Sequence, residues 1–111
     1  MSLIPKEGVL GNAKYAFLNA TNSGATAIVA AVPGSKIRVV ALSLVSTAAN
    51  TVKFQSAAND KTSGKPLAAN GGLVKPLNEH GWFETNRGEV LNFNQSAATV
   101  TGIDIVYVLV N

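Results

Sequence analysis

The chain has 111 residues, 47% of them apolar and 14% charged, with nine Lys plus Arg against six Asp plus Glu for a net charge of +3, and no cysteine. That is enough chain for one domain with its own core and too little for two. Ala (16), Val (13), Asn (11), Gly (10) and Leu (10) dominate, which excludes intrinsic disorder, a coiled coil and a basic nucleic-acid-binding tail, while the missing cysteines exclude disulfides and thiolate metal sites.

Residues 1–13 carry four aliphatic side chains, Leu3, Ile4, Val9 and Leu10, among Pro5, Gly8 and Gly11, without a clear period. The segment reads either as a frayed terminus or as an extended arm that lays these four side chains on a neighbour. It has no basic stretch followed by a long apolar run, and no segment anywhere approaches the length of a membrane helix. The expectation is a protein with neither a signal peptide nor a membrane span. From residue 14 onward good helix formers are scarce and Val, Thr, Asn and Gly abundant. Strands are predicted over 14–20, 26–32, 36–46, 51–56, 66–68, 72–76, 81–85, 89–95 and 100–110.

Two of these segments, 37–45 and 103–110, are apolar on both faces, the mark of a central strand covered on each side by another sheet or by a neighbouring subunit. Residues 51–56 alternate instead, with Val52, Phe54 and Ser56 opposed to Thr51, Lys53 and Gln55; residues 90–95 do the same, with Leu91 and Phe93 opposed to Asn92 and Asn94. Between strands recur short Ala-Ala-Asn sequences ending at Asn50, Asn59 and Asn70, with Ser96-Ala97-Ala98-Thr99 as a fourth. Their spacing is too uneven for a solenoid. They read as turns, like the Gly-bearing breaks at Gly24, Gly34, Gly81 and Gly88. About eight or nine short strands in one all-β domain, residues 14–111, predict a two-sheet β-sandwich, and eight in two Greek keys make a jelly roll.

Chemistry is hard to build from these residues. His80 is the only histidine and no Gly-x-Ser-x-Gly turn exists, which leaves no nucleophile triad. His80 and Glu84 share a strand face but stand about 13 Å apart, too far for one metal. Glu79, Glu84 and Glu89 follow the turns at Gly81 and Gly88 and read as solvated loop charges rather than a glycosidase pair. Gly64-Lys65 lacks the rest of a phosphate-binding loop. The expectation is no enzyme, no cofactor and no metal. Lys61, Lys65 and Lys75 fall close together in the sequence, but the nine cations are mostly Lys and scattered, with few aromatics to stack bases, so no nucleic-acid partner is expected. Trp82, the single tryptophan, beside Phe83 at a strand start, reads as a core or interface anchor or as a sugar-stacking platform.

From Lys14 onward the sequence resembles a family of small structural proteins of tailed bacteriophages encoded near the major capsid gene. The likeness is carried by Ile37-Arg38-Val39-Val40-Ala41-Leu42-Ser43-Leu44, Thr51-Val52-Lys53-Phe54-Gln55-Ser56, Leu67-Ala68-Ala69-Asn70-Gly71-Gly72, Gly81-Trp82-Phe83-Glu84-Thr85 with Gly88-Glu89 and Leu91-Asn92, and Tyr107-Val108-Leu109-Val110. It implies a capsid cement or decoration protein: a homotrimeric jelly roll, made in the host bacterial cytoplasm, that sits on the outer shell of the virion and clamps neighbouring major capsid proteins. The arm residues Leu3, Ile4, Val9 and Leu10 and the loop residues Lys61, Lys65, Lys75, Trp82 and Arg87 are then the candidate subunit or capsid interface. Related folds also serve in tails and fibres, which keeps open a carbohydrate- or receptor-binding knob of a tail fibre or spike.

Overall fold

In the computed structural model, which describes residues 12–111, the β-branched and aromatic segments form ten strands and no α-helix. They are β1 (Lys14–Ala20), β2 (Gly24–Val29), β3 (Lys36–Ser46), β4 (Asn50–Ser56), β5 (Asn59–Asp60), β6 (Lys65–Leu67), β7 (Gly72–Lys75), β8 (Phe83–Glu84), β9 (Leu91–Gln95) and β10 (Thr101–Val110). The protein is an all-β, two-sheet sandwich. The first sheet runs β1-β10-β3, with β7 and β8 both paired to the far side of β3 at opposite ends; the second runs β2-β9-β4, with β5 and β6 sharing the far side of β4. Every pairing is antiparallel. The chain changes sheet at each step from β1 to β4, again between β6 and β7, and at both steps from β8 to β10.

Alternation decides which side chains meet between the sheets. From the first sheet come Ala20, Ile37, Val39, Leu42, Leu44, Ile103 and Ile105, and from the second Val29, Val52, Phe54, Leu91 and Phe93, all buried in one cluster. Phe54 ties the layers together, with its ring centroid 5.2 Å from Phe83 of β8 and 5.5 Å from Phe93. The β3–β10 register slips by one residue between Val106 and Tyr107, so that Val40 is the extra residue of a bulge. The slip changes which residues point inward along β3, from Leu42 and Leu44 to Ile37 and Val39, while β10 keeps Ile103, Ile105, Tyr107 and Leu109 on the core side. Val40 and Val108 are buried without belonging to the central cluster. At Gly72, paired to Val45, a Cβ would strike the backbone carbonyl of Leu44, so only glycine lets β7 lie this close to β3.

One end of the sandwich is closed by polar side chains. Asn50 is 6% exposed; its Nδ2 donates to Gln95 Oε1 at 2.9 Å, and its Oδ1 accepts from the backbone N–H groups of Ser96 and Ala97 at 3.1 Å each. Thr101 Oγ1 donates to Gln95 Oε1 at 2.7 Å, and Gln95 Nε2 donates in turn to the carbonyls of Asn22 and Thr99. Two of the four Ala-Ala turns thus interlock, with Thr47 N–H and Oγ1 both donating to the Val100 carbonyl. Among the described residues every buried side-chain nitrogen and oxygen has a partner.

The predicted strands differ from the observed ones where their residues lack alternation. The segment predicted at 26–32 runs Gly24–Val29, because Ala30, Ala31 and Val32 feed the turn at Pro33-Gly34, where Ser35 N–H bonds the Val32 carbonyl. The segment predicted at 81–85 shrinks to Phe83–Glu84, since Gly81 at φ +86° turns the chain. Strand β5 falls inside a stretch predicted as turn. The arm residues Leu3, Ile4, Val9 and Leu10 lie outside the described residues.

Candidate functional site

The two outer faces of the sandwich are chemically unlike. On the second sheet the outward side chains of β4, β5 and β9 form a bonded polar network, beside the small exposed Ala25 and Ala27 of β2. Lys53 Nζ lies 3.1 Å from both carboxylate oxygens of Asp60, Gln55 Nε2 donates to Asp60 at 2.8 Å, Asn94 Nδ2 donates to Gln55, and Asn92 Nδ2 to the Ala57 carbonyl. The bond from Gln55, then the bond and charge of Lys53, hold the Asp60 carboxyl below its ordinary range.

On the first sheet three rows of outward residues cross the strands in register. Tyr15 faces Val106 and then Ala41; Phe17 faces Asp104, Ser43 and Val74; Asn19 faces Gly102, Val45 and Gly72. Tyr15 is 78% exposed, Phe17 73% and Val74 70%, and Val45 is exposed beside them. Large side chains at the flanks and Ala41 and Ser43 in the middle leave a shallow trough of about 620 Å³ lined chiefly by carbon. Asp104 lies in that trough, exposed and with no ion-pair partner among the described residues. Soluble monomers bury or break up such a face, so it is the strongest interaction surface on the described chain. It arises because β1 presents aromatics on one face while Ala16, Leu18 and Ala20 face inward.

A second feature lies where the free edges of both sheets meet. Lys53 of β4, Lys61, Thr62, Ser63 and Lys65 of the β5–β6 region, and Lys75 and Trp82 of the first sheet's edge surround a cleft of about 220 Å³ whose lining also includes Leu42, Val52, Phe54, Leu73 and Phe83. Lys61 donates to Asn86 Oδ1 at 3.0 Å, Lys65 to Ser63 Oγ, and Lys75 Nζ stands 4.8 Å from the Trp82 ring centroid. The fold therefore brings Lys61, Lys65, Lys75 and Trp82 to one place and adds Lys53. Arg87 is elsewhere, donating to the Gly34 carbonyl at 3.2 Å. Trp82 is not a core anchor. Pairing of Phe83 with Val39 turns Phe83 inward onto Phe54, and Trp82, 39% exposed, ties its indole N–H to the Pro76 carbonyl at 2.8 Å.

The acids near His80 are engaged elsewhere or open to solvent. Glu84 accepts from Arg38 Nε at 2.9 Å and from Lys36 Nζ at 3.4 Å. Among the described residues no three of His, Cys, Asp and Glu converge as metal ligands would.

The exposed apolar face was only half visible in the sequence. Tyr15 and Phe17 alternate with Ala16 and Leu18, a two-faced apolar strand, but no residue says which face meets the core. No protein-family model matches the chain, and comparison with curated protein sequences gives no match.

Proposed function

We propose that the protein is a structural component of a phage virion, a cement or decoration protein that self-associates, as a trimer, and binds the outer capsid surface to hold neighbouring major capsid proteins together. The observation that carries this reading is the contrast between the outer faces: one bearing a bonded polar network, the other an open trough flanked by Tyr15, Phe17 and Val74, with Val45 exposed beside it. A protein whose work is clamping needs a rigid body, an apolar patch for copies of itself and a polar surface toward water. The interleaved order β1-β10-β3-β7 over β2-β9-β4-β6 is compatible with two Greek keys wound as a jelly roll, and the resemblance along residues 14–111 points the same way. No catalytic step belongs to this reading.

A sugar-binding knob has less to draw on, because the Trp82 ring carries Lys75 over it and its N–H is already bonded. Sedimentation of the purified chain, together with its binding to expanded heads of the phage that encodes it, tests the proposal. A trimer that saturates the heads supports it. A stable monomer that does not bind them overturns it.

A further inference from the structure

We propose that the lysine-rimmed cleft between β6 and β7 receives an acidic segment of a partner protein, with an apolar side chain of that segment on the cleft floor and carboxylates against the rim. The rim holds four ammonium groups, and Asp60 neutralises only Lys53; Lys61, Lys65 and Lys75 have no carboxylate partner among the described residues. The floor is apolar, formed by Leu42, Val52, Phe54, Leu73 and Phe83. The hydroxyls of the wall are already engaged, since Thr62 Oγ1 takes the Phe54 N–H at 2.9 Å and Ser63 Oγ takes Lys65.

The site thus offers donors above carbon. A ligand has to bring acceptors, preferably charged, and hydrocarbon. A neutral sugar brings acceptors but no charge to set against three ammonium groups that lack a carboxylate among the described residues. A nucleic acid fails on shape, because about 220 Å³ takes one side chain rather than a stack of bases, and the one tryptophan is already capped by Lys75. An extended peptide fits both counts. It also meets the outer edges of β6 and β7, whose strand partners among the described residues are β4 and β3 alone, and so can add backbone hydrogen bonds.

This inference rests on the reading as a shell-binding protein only for the identity of the partner, and its test separates the two. Trp82, the sole tryptophan of the chain, reports binding through its emission. The probes are a capped hexapeptide of Glu residues flanking one Leu, the same peptide with Gln for Glu, polyglutamate, and a heparin hexasaccharide. The expected result is saturable binding of the Glu–Leu peptide that weakens with salt. It falls at least tenfold for the Gln peptide, for polyglutamate and for the Lys61→Gln/Lys65→Gln/Lys75→Gln variant. Those three side chains are at the surface, and an unchanged thermal midpoint shows that the variant is folded. Lys75→Arg, which keeps the charge, retains binding. The proposal is overturned if the Glu–Leu peptide does not bind, if the triple variant binds it equally well, if polyglutamate binds as tightly, or if only heparin binds. Heads that bind the wild type while the peptide does not would leave the proposed function standing and remove this inference; a peptide that binds while heads do not would do the reverse.

Discussion

Glu84 answers to opposing forces. Burial pushes its carboxyl up, but the hydrogen bond and charge of Arg38, joined by those of Lys36, more than offset this and hold it below the ordinary glutamate value of 4.5. Because its native pKa is depressed, the carboxylate contributes stability that is fully present above the unfolded-state value and lost as pH falls through the native one. Urea midpoints measured from pH 7 down to pH 3 should therefore drop below about pH 4.5, and Glu84→Gln should be less stable than wild type at pH 7 and show a shallower acid limb. Asp60 is shifted the same way, so the variant keeps part of the slope. An acid limb identical to that of the wild type would mean that the pair to Arg38 and Lys36 adds nothing to folding.

At the scale of elements, Asn50 matters more than any single strand end. It reaches across from the start of β4 to hold the turn before β10 and to satisfy Gln95. Asn50→Ala would take away one of the two donors to Gln95 Oε1 and leave two partly buried turn N–H groups without their acceptor, a loss of about 2 kcal/mol. Chemical denaturation reads that as a fall in midpoint with little change in slope. A loss under about 0.5 kcal/mol would say that water replaces the side chain. In the sequence this asparagine is one member of an Ala-Ala-Asn repeat and looks like turn punctuation; that it is buried depends on β9 and β10 arriving from 45 and more residues away. The strands themselves were far more legible. Residues 14–20 and 36–46 are strands over the full predicted span, and those at 51–56 and 100–110 differ by one residue, since Val, Ile and Phe recur there with a period of two or without interruption. Asn59-Asp60 of β5 has no such pattern and is a strand only because Gln55 and Ser56 pair with it. The cleft was illegible for a similar reason. Lys53, Lys65, Lys75 and Trp82 meet only through the pairings of β4 with β6 and of β3 with β7 and β8.

For the whole molecule the decisive property is the difference between its two outer faces. If the trough of the first sheet is where copies meet, a charge placed there should separate them while leaving the core alone. Phe17→Glu and Val74→Glu, both at sites more than two thirds exposed, are expected to shift the subunit dissociation midpoint at least tenfold in sedimentation and to leave the unfolding midpoint of the separated chain intact. Equal charges at Ala25 or Ala27, on the polar sheet, should do neither. Unchanged association in both trough variants would move the contact elsewhere. A partner surface would also have to bring a hydrogen-bond donor to Asp104, since a carboxylate covered without one is costly.

The pairing of β10 between β1 and β3 reaches beyond the folded state. Lys14 lies opposite Tyr107 and Lys36 opposite Val110, so the first sheet joins segments from the two extremes of the described chain. A ribosome delivers Thr101–Val110 after the other nine strands described, and until it does β1 and β3 have a gap between them where their common neighbour belongs. The first sheet is completed only through its most distant contacts, and its closure proceeds at the slow pace that such contacts impose.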